Sequence, residues 1–308
     1  MKVTSFCGTV VMFLGLLGYG SLLAQTQLPA PFHPCLSAGI KKSVVFLGTF
    51  EAPSTSEPKE RPQHVYVGTG FLITIDDIFY LVTAKHVVEG FRQAIDGDKR
   101  MFVFLNGRDG KVREQSIAEV KTILSLEWIL GKDSDLALIP FGIRPDFDVK
   151  AVPEKMFLES TQLLDLQDLF FVSFQPGIDA PDSITPVTRR GMVSVLNSDG
   201  TFYMDAFAFP GNSGSPVFIK PSPATFVEGG TAIGDPRACQ FVGVIGEYLP
   251  YQEVAISTQT KRPRVIFEEN TGLARVWPVQ ALRAITASPA FKVQHEQVKA
   301  KAARKSGQ

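Results

Sequence analysis

The sequence predicts an all-β protein, on three observations. Short apolar runs recur through the middle of the chain, each bounded by glycine, proline, asparagine or aspartate. The 26 glycines supply turns for many strands, and 24 phenylalanines within a 44% hydrophobic composition supply two β cores. The length, 308 residues, leaves enough chain after both ends are trimmed for a two-core β domain, which commonly takes roughly 200 to 250 residues.

The elements follow in order. Residues 1–24 read as an export signal: Lys2, an apolar stretch over residues 10–23, and Ala24 before Gln25-Thr26-Gln27. The protein is expected to be exported, to the periplasm or secreted, with cleavage after Ala24. The apolar run is short and glycine-interrupted, so stable membrane association is expected only if it is retained as an anchor. Residues 25–42 form an N-terminal segment and residues 43–288 the folded domain. Residues 43–48 open it as a strand, and the polar stretch 51–63 reads as an exposed loop. Residues 65–75 and 79–83 make a strand pair turning at Asp76-Asp77. Residues 116–130 fit a helix nearly as well as strands. Further strands are expected at 169–174, 191–196, 202–206, 215–219 and 241–245, and helical spacing at 278–285. From residue 289 the chain reads as a basic, disordered tail: Lys292, Lys299, Lys301, Arg304 and Lys305 face Glu296 alone.

The formal charge is zero, so no global basic field points to nucleic acid. Cleavage would remove Cys7 and leave Cys35 and Cys239, which either form one disulfide or remain two thiols. Cysteines and histidines show no paired spacing of the kind a metal site needs, and no cofactor motif is present.

One string stands out: Phe209-Pro210-Gly211-Asn212-Ser213-Gly214-Ser215-Pro216. Alone, Gly-Asn-Ser-Gly is an ordinary turn. A serine acting as a nucleophile needs a histidine base and a carboxylate that orients it. Of the four histidines, His86 alone directly follows an apolar strand pattern, in Tyr80-Leu81-Val82-Thr83-Ala84-Lys85-His86. Asp135 precedes the apolar run Leu136-Ala137-Leu138-Ile139 and is preferred to Asp133 for that reason. Histidine, aspartate and serine occur in that order, with room for one barrel before the serine and a second around it. A Gly-x-Ser-x-Gly hydrolase elbow is ruled out, because position 215 is serine and the one histidine beyond Ser213 is His295, in a polar segment.

Thr83-Ala84-Lys85-His86, Asp135-Leu136-Ala137 and Gly211-Asn212-Ser213-Gly214 together resemble the trypsin-like serine endopeptidases of the chymotrypsin fold, over roughly residues 65–250. Gly191-Met192-Val193-Ser194 and Asp205-Ala206-Phe207-Ala208 bring the resemblance closest to bacterial HtrA-type and related secreted peptidases, without room for a PDZ domain after about residue 288. The resemblance implies two six-stranded antiparallel β-barrels with a short C-terminal helix. It implies Ser213 as nucleophile, His86 as base, Asp135 as its orienter, and the N–H groups of Gly211 and Ser213 as an oxyanion hole. A polypeptide substrate would add a strand along Gly246, Glu247 and Tyr248, with Phe207 and Ala208 walling a pocket for a small or apolar residue. Two departures stand in that pattern: Ser215 replaces a second glycine, where backbone strain is expected, and Ser173 replaces a glycine in residues 171–177. The alternative is a catalytically silent binding protein on the same scaffold.

Overall fold

The structure is a computed structural model describing residues 38–51, 63–93, 100–178, 182–227 and 230–306. The export-signal segment, Cys7, Cys35 and most of the 51–63 loop lie outside these residues. After a one-turn helix α1 (Ala38–Lys41), the first half builds β1 (Val44–Glu51), β2 (Gln63–Ile75), β3 (Ile78–Ala84), α2 (Lys85–Gln93), β4 (Phe102–Asn106), β5 (Val112–Ser116), α3 (Ile117–Leu124), β6 (Ile129–Leu130), β7 (Leu136–Pro140) and β8 (Val152–Pro153). Asp76 and Asp77, at φ 47° and 61°, form the tight β2–β3 connection where the sequence placed it. Two consecutive left-handed residues match the twist of paired strands, and aspartate tolerates that conformation better than most residues. The ambiguous 116–130 stretch divides into α3 and β6.

The second half contributes β9 (Asp168–Ser173), β10 (Val187–Leu196), β11 (Phe202–Asp205), β12 (Pro216–Ile219), a separate hairpin of β13 (Ala224–Val227) and β14 (Gly230–Ile233), then β15 (Phe241–Ile256) and β16 (Pro263–Pro278). Strands β10-β11-β16-β15-β12-β9 close a six-stranded antiparallel barrel. The all-β, chymotrypsin-like class therefore stands, with one difference of detail. The first sheet has eight strands in the order β5-β4-β1-β2-β3-β7-β6, and β8 adds to β2 in parallel. The short β8 and β6 extend the pairing surface beyond the six strands expected.

Apolar side chains from both halves share one core, in which Phe46, Phe71, Tyr80 and Phe104 meet Phe170, Phe218 and Phe241. The Phe71 and Phe241 rings lie 5.2 Å apart across the junction. Separate cores fill the first sheet, around Leu47, Leu72 and Leu81, and the barrel, around Phe171, Phe202 and Val276. Cys239 is disulfide-bonded.

The C-terminal end departs from expectation. Beyond the short helix α4 (Val279–Thr286), the segment read as a disordered tail is an 18-residue helix, α5 (Pro289–Ser306). Ser288 caps it, its hydroxyl accepting the Phe291 N–H at 3.2 Å, and Pro289 takes the first helical position, where no N–H is needed. Phe291 and His295, one turn apart, are buried together. The Tyr80 hydroxyl and His295 Nδ1 are 2.5 Å apart, Phe291 and Tyr80 rings 5.1 Å apart, and Lys299 reaches the Asp76 carboxylate at 2.7 Å. The charge count of this segment pointed to a solvated tail, yet Phe291, His295 and Val298 fall on one helical face and pack on the domain, while Val293 on the other side is exposed. Phe291→Ala is expected to cost about 3 kcal/mol of unfolding free energy by chemical denaturation, where a solvated tail would show no loss.

Candidate active site

His86 and Asp135 meet because of strand register. Strands β3 and β7 pair antiparallel, with Ala84 opposite Leu136, and the Lys85 N–H continues the ladder to the Asp135 carbonyl at 3.1 Å. The next residue is therefore set beside the Asp135 side chain. His86 stands in the first turn of α2, where backbone N–H groups lack helical partners, and Asp135 Oδ1 accepts its N–H at 2.8 Å. The other oxygen, Oδ2, lies 2.6 Å from His86 Nδ1. One carboxylate thus satisfies the helix start and orients the imidazole. That hydrogen bond raises the His86 pKa above the ordinary imidazole value; partial burial opposes the rise, and the negative charges of Asp135, Glu247 and Glu89 add to it. Asp133 is exposed and takes no part.

The serine turn is held by buried polar groups that the sequence reading did not single out. Thr69, on β2 and fully buried, donates from Oγ1 to the Gly211 carbonyl at 2.7 Å and accepts the Phe174 N–H at 3.0 Å. Its own N–H donates to the Ser213 carbonyl at 3.1 Å. Asn212 donates to the Phe174 carbonyl at 2.5 Å and to Ser173 Oγ at 3.2 Å, while its Oδ1 accepts the Phe209 N–H at 2.8 Å. Gly211 and Gly214 sit at φ 95° and 88°, and a Cβ on Gly214 would lie 2.1 Å from the Thr69 carbonyl oxygen, so these two positions require glycine. Ser215 does not share that need. It keeps a negative φ and donates its hydroxyl to the Asn212 carbonyl at 2.6 Å, so the strain expected there is absent and the side chain braces the turn. Ser173 likewise serves as a partner of Asn212. Among the described residues, neither the Gly211 nor the Ser213 N–H donates to another protein group.

His86 and Ser213 line one cleft of about 340 Å³, together with Ala208, Phe209, Pro210, Ile245, Glu247, Tyr248 and Pro250. Of the residues expected to meet substrate, Ala208, Glu247 and Tyr248 are therefore in the cleft. Phe207 and Gly246 are not. The Phe207 ring stacks on Phe209 with centroids 6.4 Å apart and planes at 18°, and Gly246 is buried against the Trp277 indole. Between Ile245 and Tyr248 the pairing of β15 with β16 shifts register, which takes Gly246 and Glu247 out of the ladder. Glu247 meets Arg275 at 3.8 Å, and Arg275 covers the Trp277 ring at 4.7 Å.

Residues 68–220 match the family model for the trypsin-like peptidase domain. The chain carries a trypsin-like peptidase domain. No curated protein matches it. Among solved structures, one described as the crystal structure of Deg5 is similar at 20% identity and a TM-score of 0.41, over 58% of this chain and 74% of that one.

Within the peptidase domain, the Thr69 hydroxyl is the group whose removal most directly loosens the serine turn. Thr69→Val keeps the shape but leaves the Gly211 carbonyl and the Phe174 N–H buried without partners. It is expected to lower unfolding free energy by about 2 kcal/mol, and Thr69→Ser to restore most of that, in denaturant titrations of both variants.

Proposed function

We propose that the protein is an exported serine endopeptidase in which Ser213 attacks the scissile carbonyl of a polypeptide. His86 accepts the Ser213 proton and delivers it to the leaving amine, breaking the peptide bond and leaving an acyl-enzyme. Water, deprotonated by the same imidazole, then releases the acid product and regenerates Ser213. Asp135 holds the imidazole by Nδ1, so that Nε2 is the nitrogen that takes the proton, and stabilises the imidazolium that forms. The observation that carries this reading is the Asp135 carboxylate bound at 2.6 Å to the His86 ring and at 2.8 Å to its backbone N–H.

The Ser213 hydroxyl has no hydrogen-bond partner among the described residues; such contacts commonly tighten only when substrate binds. The unused Gly211 and Ser213 N–H groups suit a developing oxyanion, where a single donor is worth roughly 3 to 4 kcal/mol. A carbonyl turned onto those N–H groups would support the silent-scaffold reading; none bonds to them among the described residues. Substrate would lie along Glu247 and Tyr248, with Ala208 at the pocket wall favouring small or apolar residues. Export rests on residues 1–24, and Cys35 is the natural partner of the disulfide-bonded Cys239 once Cys7 is removed with that segment. Peptide mapping of the mature protein without reductant is expected to show Gln25 at the N-terminus and a peptide linking Cys35 to Cys239.

His86 is a base only when neutral, and its pKa lies above the usual value of about 6.5. Peptide-cleavage kcat/KM should therefore climb with pH through a midpoint above that value and fall away below it. Asp135→Asn removes the largest cause of the rise. The midpoint should move to lower pH while the plateau drops about 10⁴-fold. Intact-mass analysis with a fluorophosphonate probe should find one adduct on the wild type and none on Ser213→Ala or His86→Ala; folded wild type that takes no adduct would defeat the proposal.

A further inference from the structure

Strands β15 and β16 continue well past the barrel. Their ladder runs from Pro250 opposite Asn270 to Ile256 opposite Pro263, while the flanking strands pair with them no further than Val244 and Leu273. Beyond that point the two strands form a free ribbon whose apolar side chains are open to solvent: Val254 (48%), Ile256 (59%), Val265 (50%), Ile266 (62%) and Phe267 (56%). The register places Val254 opposite Ile266 on one face, and Glu253 opposite Phe267 and Ala255 opposite Val265 on the other. Charge is segregated along the same ribbon. Residues 254–267 contain Lys261, Arg262 and Arg264 and no acidic residue, whereas Glu253, Glu268 and Glu269 stand on the barrel side. Among the described residues, none of the three tip cations is in an ion pair.

This arrangement discriminates between occupants. A protein surface would cover one face of a two-stranded ribbon and leave the other wet, but the exposed apolar groups lie on both. The interface of a bilayer surrounds an inserted tip and covers both faces, and cations among apolar side chains suit anionic headgroups. We propose that the β15–β16 tip inserts into the surface of an anionic phospholipid bilayer. The acidic residues behind it oppose deeper entry. Pro250 lines the cleft, and six residues of extended strand span about 20 Å, so the cleft is held near the membrane but above it. The sequence reading placed membrane contact at the chain ends rather than at this tip, whose residues become contiguous only when the strands pair.

The test is co-sedimentation of the purified protein with vesicles of phosphatidylglycerol and phosphatidylcholine, and with phosphatidylcholine alone. The wild type is expected to bind the anionic vesicles preferentially, and less as salt is raised. Each reversal among K261E, R262E and R264E should weaken partitioning on the order of fivefold. The double variant I266S/F267S should remove most binding at low salt. A Phe267→Trp variant should show a blue-shifted emission on anionic vesicles, which simple electrostatic adsorption of the barrel would not produce. All variants should keep wild-type circular dichroism, and binding does not depend on whether Ser213 is active. Three results would overturn the proposal: folded wild type that stays in the supernatant, binding that survives both sets of substitutions, or tip substitutions that shift oligomeric state without vesicles, which would make this face an interface between copies.

Discussion

The side chain and backbone of Thr69 tie the two β units to the serine turn, and the rest of the site depends on that tie. It sits on β2 of the first sheet, yet its partners Gly211, Ser213 and Phe174 all belong to the second half. Its carbonyl in turn accepts the Thr83 hydroxyl at 2.8 Å, three residues before His86. A buried polar group left unpaired is costly in a dry junction, so the turn, the β9 end and the histidine-bearing strand are set in one mutual position. The phenylalanine-rich core between the halves supplies attraction without direction; these hydrogen bonds supply the direction.

Charge is distributed around the histidine by the same economy of elements. The β3–β7 register delivers Asp135, and the bulge in β15 brings Glu247 into the cleft, where its charge also acts on His86. Arg275 draws on Glu247 from the other side while lying over Trp277. The imidazole therefore feels one carboxylate held rigidly and one shared with a guanidinium. Ion pairs as exposed as the second contribute little to stability, so Glu247 bears chiefly on the electrostatics of the cleft.

Legibility in the sequence followed the range of the interactions. The Asp76-Asp77 connection and the separation of Asp135 from Asp133 were readable because local backbone preference and an adjacent apolar run mark them. The strain assigned to Ser215 was not borne out, since a side chain that bonds its own turn cannot be told from a misplaced one without coordinates. Gly246 is held out of the cleft by Trp277, far away in sequence, and Phe207 by stacking on Phe209, a side-chain geometry that the sequence does not display. Helix α5 was missed although Ser288-Pro289 is a helix-start signal, because its charge count outweighed the spacing of Phe291 and His295. The long β15–β16 ribbon was seen only to residue 245: beyond it, glutamates and glutamine interrupt the apolar alternation, and the pairing across strands that sustains the ribbon leaves no local trace.

Helix α5 has a bearing on the order in which the histidine strand is made and covered. Its His295 reaches back across 219 residues to Asp76 and also meets Tyr80 on the strand that leads to His86. During synthesis the first sheet is made well before the helix that covers Tyr80. A chain made only through its first sheet therefore holds its histidine strand without this fastening, and that strand gains its cover from a helix more than two hundred residues further along.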